Sequence, residues 1–86
     1  MKIKVRHLHR LLLLLSEETQ EPLDRAGLRN MAAEIGGISE DYLYKKIFFE
    51  IRNLDKEDTL SLRDAQLNSV ARFLGYRNIQ LLVAAF

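Results

Sequence analysis

Apolar residues recur along this chain at helical spacings, in segments separated by polar breaks. In the first segment, about residues 5–18, they fall three, four and seven positions apart and so share one face of a helix. Residues 19–22 form a polar break with the only proline, which can occupy the first turn of the next helix. A second amphipathic segment, about residues 23–35, stops at two glycines, a signal typical of helix C-termini. The pattern predicts two helices with these core faces: Val5, Leu8, Leu12 and Leu15, then Leu28, Met31, Ala32 and Ile35.

The second half of the chain predicts three further helices. Ser39 is a candidate N-cap for the third helix, and the polar run at residues 55–59 is typical of a loop. Ser61 and Asp64 have the spacing of a capping box before the fourth helix, and Asn78 is a candidate cap for the fifth. The third helix has the predicted apolar stripe Leu43, Tyr44, Ile47, Phe48, Ile51 and Leu54.

Strand patterns are nearly absent, and residues 2–5 are the one short candidate. We therefore predict an all-α fold, a compact bundle of five or six short helices, in a single domain over residues 1–86. Residues 1–10 form a basic arm that runs into the first helix. A chain of this size buries only roughly 60–65% of its unfolded surface, so its hydrophobic core is modest.

An internal repeat favours a helix-turn-helix-like core within this bundle. Residues 28–36 and 67–75 share the pattern L-x-x-h-A-x-x-h-G, where h is apolar. The small alanine lets two helices approach closely, and the glycine permits a left-handed turn between them, which suits a helix-turn-helix pair. The alternative is a coincidence between two amphipathic helices that each end in glycine.

Charge is unevenly distributed, although the net charge is only +1. The basic arm carries four basic and no acidic residues, whereas the other 76 residues carry nine basic and twelve acidic ones, a net charge of −3. The low overall charge argues against a generic polyanion binder. The opposite charges of the arm and the rest of the chain permit head-to-tail self-association.

Catalytic, cofactor and metal motifs are missing. The chain has no cysteine, and its two histidines, His7 and His9, would point about 200° apart on a helix and could not chelate one metal ion. We expect no enzyme activity, no cofactor, no metal site and no small-molecule substrate. The five leucines of residues 11–15 are too short a run for a signal peptide or a membrane span, so we expect no membrane association and a cytoplasmic location.

Surplus apolar residues favour a protein partner or self-association. Five consecutive leucines cover about 400° of a helix and cannot all face one core, which leaves Leu13 among basic neighbours. Tyr42 and Phe49 lie seven positions apart, opposite the main stripe of the third helix, and Phe86 ends an apolar C-terminal run. Two alternatives stay open: helices covered on both sides, and a domain that belongs to a longer protein. The candidate interface residues are Leu13, Tyr42, Phe49 and Phe86.

Nucleic-acid binding is the second hypothesis. The second and third segments resemble the helix-turn-helix consensus at Ala32 and Gly36, with Gly37 as an extra residue. However, Glu40 and Asp41 would then lie at the start of the recognition helix and would repel phosphate. The basic arm could instead follow the phosphates. The candidate residues are Lys2, Lys4, Arg6, Arg10, Lys45, Lys46, Arg72 and Arg77.

The run at residues 67–86, LNSVARFLGYRNIQLLVAAF, resembles the closing signature of small helix-turn-helix-like modules found at the front of many bacterial multidomain proteins. Phe73 and Ile79 depart from it, since the modules have tyrosine and a preferred aromatic there. The resemblance covers about 20 residues and implies a structural motif with no catalytic or binding residues. The matching residues are Leu67, Val70, Ala71, Leu74, Gly75, Tyr76 and Asn78.

A weaker likeness, in size and helix count alone, is to death-fold adaptor domains. Together these observations predict a non-enzymatic interaction or oligomerisation module, an adaptor or recruitment domain of a bacterial protein. That it forms the N-terminal domain of a longer protein stays an open alternative. The alternative is a DNA-binding helix-turn-helix protein that uses the basic arm.

Overall fold

The computed structural model describes residues 1–86 and contains five helices and a two-stranded sheet. The predicted, mainly helical architecture with five helices is confirmed, and the sheet is an addition to the all-α class. The third helix, α3, is π-helical over Tyr42–Phe48 and α-helical over Phe49–Ile51. The other elements are β1 Lys2–Lys4, α1 Val5–Thr19, α2 Arg25–Ile35, β2 Thr59–Ser61, α4 Asp64–Phe73 and α5 Ile79–Ala84.

The sheet joins the start of the chain to the segment before α4. β1 and β2 are antiparallel, with Lys2 opposite Ser61 and Ile3 opposite Leu60. Ile3 is buried and its neighbours Lys2 and Lys4 are exposed, the alternation expected of a strand with one face on a core. The extended candidate at residues 2–5 is therefore confirmed over Lys2–Lys4.

The predicted capping box at Ser61 and Asp64 is wrong. Ser61 belongs to β2, and α4 begins at Asp64 with Arg63 at its N-cap and no side-chain cap bond. Pairing with β1, more than 50 residues away in sequence, draws Ser61 into the strand. The backbone N–H of Arg63 donates instead to the Tyr42 hydroxyl, at 2.8 Å.

The loop before β2 also caps α1, whose first turn has no side-chain cap. The backbone N–H of Val5 donates to the Asp58 carbonyl at 2.9 Å, and that of Arg6 donates to the Lys56 carbonyl at 3.1 Å. These bonds satisfy two of the donors that every helix N-terminus leaves unpaired. The first four residues of the basic arm are thus held beside β2 by backbone pairing, and residues 5–10 form the start of α1.

The two glycines of the internal repeat have the left-handed conformation that the sequence predicts. Gly36 has φ +83° and Gly75 has φ +93°. The N–H of Gly36 donates to the Ala32 carbonyl at 3.0 Å, and the N–H of Tyr76 donates to the Ala71 carbonyl at 2.9 Å. Both bonds belong to glycine-terminated helix ends.

Side-chain caps begin three of the helices. Ser39 Oγ accepts from the Tyr42 N–H at 3.1 Å and the Asn78 side chain accepts from the Leu81 N–H at 2.9 Å, as the sequence predicts. Asp24 caps α2, which begins at Arg25 and leaves Pro22 outside the helix.

One cluster of nineteen buried apolar residues forms the core, and no polar residue is buried with it. The predicted face of α1 is fully buried, together with Leu11. Leu43, Ile47 and Ile51 bury the inner face of α3, whereas Tyr44 and Phe48 are half-buried beside it. None of the helices has the length and apolarity needed to cross a bilayer.

Candidate protein-interaction surface

Leu13 on α1 and Phe49 on α3 are large apolar side chains that remain about half exposed, at 53% and 50%. Leu13 lines a cavity of about 130 Å³ with Phe48 and Arg52, and Phe49 lines a second one of about 210 Å³, again with Arg52. Arg52 therefore connects the two cavities. We call the surface formed by Leu13, Phe48, Phe49 and Arg52 the α1/α3 surface.

Aromatic rings and arginines continue this surface along α3. The Tyr44 ring lies 5.9 Å from the Phe48 ring and 6.4 Å from the Phe49 ring, measured between centroids. The guanidinium of Arg52 lies 5.7 Å from the Phe48 ring and that of Arg25, from α2, 4.6 Å from the Tyr44 ring. A guanidinium at such a distance from an aromatic ring is attracted to the face of the ring. This attraction helps to hold both side chains in place.

Residues of the hydrophobic core line the first cavity. Leu12 and Ile51 are buried there, and Leu23 and His9 are half-buried. Because the cavity lies against the core, Leu13 and Phe48 belong to a packed face and are not isolated surface residues. Aromatic residues and arginine are enriched in protein interfaces, in the manner seen here.

Tyr42 lies away from the α1/α3 surface. Its hydroxyl accepts from Arg63, and its ring lines a groove between α3 and β2. The sequence predicts that Tyr42 lies beside Phe49, because positions seven apart share a face of an α-helix. In the π-helical part of α3 the bonds run to the fifth residue, as from the Phe49 N–H to the Tyr44 carbonyl, so that spacing no longer marks one face.

Phe86 lies against another part of α1. Its ring is 5.6 Å from the His7 ring and 6.0 Å from the Arg10 guanidinium. Burial of His7, followed by the charges of Arg6 and Lys4, lowers the pKa of the His7 imidazole from its ordinary value. Of the four candidate interface residues, only Leu13 and Phe49 border the same group of cavities.

The candidate phosphate-binding residues are spread over the molecule. In the basic arm, Lys4 Nζ lies 3.4 Å from Glu57 Oε2, and Arg6 also pairs with Glu57. Lys45 Nζ lies 3.8 Å from Asp41 Oδ2. The others lie at separate places: Lys2 on β1, Arg10 beside Phe86, Lys46 in the α3–β2 groove, Arg72 on α4 and Arg77 before α5.

Sequence reasoning did not identify Phe48 and Arg52 as surface residues. The apolar pattern places Phe48 in the core stripe. Arg52 follows Phe48 by four positions, a spacing at which helical side chains meet. This aromatic–arginine spacing was the available signal. Leu81 on α5 is a further apolar side chain that is half exposed.

Neither a metal site nor a similar known protein adds to the description of this surface. No three side chains of His, Asp and Glu come together as a metal site requires. A scan against protein-family models and searches of curated proteins and of solved structures found no match to the chain.

Proposed function

We propose that this chain is a cytoplasmic, non-enzymatic protein–protein interaction or oligomerisation module that acts as an adaptor through the α1/α3 surface. The observation that carries the proposal is the half exposure of Leu13 and Phe49 beside Arg52 and an aromatic cluster. Exposed apolar patches with polar rims mark interaction sites on small soluble domains. The patch also offers the aromatic and arginine side chains that dominate binding energy.

A helix-turn-helix-like core is the second part of the proposal, in which α2 pairs with α3 and α4 with α5. Its support is the matching behaviour of the two repeats. Ala32 and Ala71 are buried at equivalent positions, and the glycines that follow are both left-handed. α2 also packs against α3, and α4 against α5. We propose that these pairs form the scaffold of a bacterial interaction module, in line with the closing signature.

DNA binding by the basic arm has less support. Glu57 lies within ion-pairing distance of both Lys4 and Arg6, so that phosphate would have to compete with a carboxylate of the same chain. A test by deletion of residues 1–10 would mislead, because Ile3, Val5 and Leu8 belong to the core. Lys2 and Arg10 are both exposed, so we expect their replacement by glutamine to leave the core intact. This double variant is therefore the better one for a mobility-shift assay at low salt.

Self-association tests the proposed function directly. We expect the mass of the wild-type protein, measured by sedimentation or light scattering, to rise with concentration. Leu13→Glu or Phe49→Glu should weaken this association at least about tenfold, because each places a charge in a buried apolar contact. Circular dichroism checks that both variants fold.

Leu81→Glu is the matched control, because Leu81 is as exposed as Phe49 but lies on α5. Its association should equal that of the wild type. A wild-type protein that stays monomeric at millimolar concentration excludes self-association. Equal loss of association in all three variants would contradict the assignment to the α1/α3 surface.

A further inference from the structure

A second surface lies between α3 and the sheet, separate from the α1/α3 surface. Here a groove of about 650 Å³ runs along one edge of β2. Its helical wall consists of Tyr42, Lys46 and Glu50, which succeed one another at intervals of four residues along α3. Its other wall is residues 60–63, from β2 to the start of α4. No residue of the α1/α3 surface lines this groove.

The sheet register shows which backbone groups face the groove. Leu62 donates to the Met1 carbonyl at 2.9 Å, and Val5 donates to the Asp58 carbonyl, so these pairs belong to the hydrogen-bonded set of the ladder. Residues of an antiparallel pair alternate between bonded and non-bonded positions. The N–H and C=O of Ser61, opposite Lys2, therefore point away from β1.

The next residue in this alternation confirms the direction. The N–H of Arg63 also points away from β1, and it donates to the Tyr42 hydroxyl on α3. The outer edge of β2 thus faces α3 across the groove. Because the sheet has only two strands, no strand of this chain pairs with that edge.

The two edges of the sheet differ in their side chains. β1 carries Lys2 and Lys4, and charged residues, lysine above all, protect edge strands from pairing with other chains. β2 has the uncharged sequence Thr-Leu-Ser and lacks this protection. The unprotected edge is the one that lines the groove.

We propose that the β2 edge binds an extended peptide segment of a partner protein, with an acidic side chain, as a third strand of the sheet. The N–H and C=O of Ser61 would bond to one residue of that peptide, as in other cases of strand addition. Lys46 and Arg63 against the single carboxylate of Glu50 give the lining a positive balance, which selects an acidic side chain.

A free peptide fits this place better than a second copy of the chain. The bond between Tyr42 and Arg63 brings α3 close to the end of β2, which leaves the edge inside a groove rather than on an open face. The β2 of a second copy lies in the same kind of groove, behind its own α3. If two such edges paired, the two α3 helices would collide. A single extended peptide has no helix beside its edge and avoids this collision.

The test is a titration followed by amide signals in nitrogen-15 NMR spectra. The probe is a capped peptide of alternating valine and threonine with one central glutamate. We expect shifts at residues 59–63 and along the Tyr42–Glu50 face of α3, and slower hydrogen exchange of the Ser61 amide. A peptide with lysine in place of glutamate should bind about fivefold more weakly, as expected for a partly exposed charge pair.

Two controls separate strand addition from charge attraction alone. A glutamate peptide with N-methylated backbone nitrogens at alternate positions on its bonding edge should not bind. Lys46→Glu, at an exposed position, should reverse the preference between the glutamate and lysine peptides. Leu13→Glu should bind the peptide like the wild type, so that a failure of the α1/α3 proposal and a failure of this one are distinguishable.

Three outcomes of the peptide titration overturn the proposal. They are no shifts at millimolar peptide, equal binding of the N-methylated peptide, and shifts at the α1/α3 surface instead of the groove. Ser61 signals that move with protein concentration in the absence of peptide would show that a second copy occupies the edge, and would equally overturn it.

Discussion

At the scale of single residues, Gly37 is fixed by a close approach between the α2–α3 turn and α4. A Cβ at Gly37 would lie 2.2 Å from Ser69 Oγ and 2.5 Å from Ser69 Cβ, well inside van der Waals contact. Gly36 differs, since a Cβ there would meet open space but its φ is +83°. The two adjacent glycines are thus required for different reasons. Gly37 is required by the nearby Ser69 side chain, and Gly36 is required by its own left-handed backbone. The extra glycine in the helix-turn-helix pattern is where the turn meets α4.

We expect Gly37→Ala to lower the free energy of unfolding by about 1–3 kcal/mol, as overpacking does. Ser69→Gly should remove part of this loss, because it removes the side chain that the new methyl group meets. Urea denaturation of the two single variants and the double variant measures the coupling.

Gly36→Ala is the control for this cycle. It should cost about 1 kcal/mol through its left-handed backbone, whether or not Ser69 is present. An additive result for Gly37→Ala and Ser69→Gly would show that the turn relaxes away from α4.

His7 predicts a pH dependence of stability. Burial and the charges of Arg6 and Lys4 lower its pKa in the folded state below the ordinary value of 6.5. The folded protein therefore disfavours the imidazolium, and its stability is full above about pH 6.5 and falls as the pH drops from there through the folded pKa.

Urea denaturation at several values between about pH 7.5 and 5.5, above the range where most carboxylates titrate, measures this fall. His7→Gln should flatten the profile over that window, and His9→Gln controls for the loss of an imidazole. A His7→Gln profile parallel to that of the wild type would assign the pH dependence to other groups.

At the scale of elements, the attachment of β1 rests on apolar burial more than on its ion pairs. Ile3 is 3% exposed and belongs to the main core, whereas the side chains of Lys4, Arg6 and Glu57 are about half exposed or more. Ion pairs so close to water contribute little, because solvent screens them and two long side chains must be ordered.

We therefore expect Ile3→Ala to lower the free energy of unfolding by about 2–4 kcal/mol. Glu57→Gln should lower it by less than about 1 kcal/mol, with a smaller effect at high salt. Denaturation of both variants at low and high salt measures the ranking. A larger loss for Glu57→Gln than for Ile3→Ala would mean that charge pairing holds the strand.

The same elements show what sequence reasoning could reach. The five helices and the caps at Ser39 and Asn78 follow from periodicity and from contacts within a few residues, so they were predictable. β2 was not, because its partner lies at the other end of the sequence and its own three residues carry a weak pattern. The π-helical part of α3 also escaped, since a helical periodicity read at 3.6 residues per turn presupposes the α-form.

The candidate site also has a part that the sequence predicts and a part that it does not. Leu13 and Phe49 could be identified as surplus apolar residues because each exceeds what its own helix can bury. Their meeting around Arg52, and the separation of Tyr42 and Phe86 from them, depend on how helices pack against one another. No local pattern encodes that arrangement.

At the scale of the whole molecule, the uneven charge of the sequence is partly compensated within the fold. The arm carries a charge of +4 and the rest −3, which permits head-to-tail attraction between copies. However, Glu57 pairs with Lys4 and Arg6 of the same chain, so that two of the four basic side chains in the arm already have an acidic neighbour. Attraction between copies is correspondingly weaker than the sequence suggests.

We therefore expect self-association to depend on the apolar α1/α3 surface and only weakly on salt. Raising the salt from about 0.05 to 0.5 M shortens the screening length to a few ångströms and would abolish an assembly held by long-range charge attraction. For docking through Leu13 and Phe49, the dissociation constant measured by sedimentation should change less than about threefold over this range, because apolar burial is not screened. Leu13→Glu should weaken association at both salt concentrations. A wild-type assembly that dissociates at high salt would instead favour the head-to-tail arrangement, with the arm of one copy on the acidic part of the next.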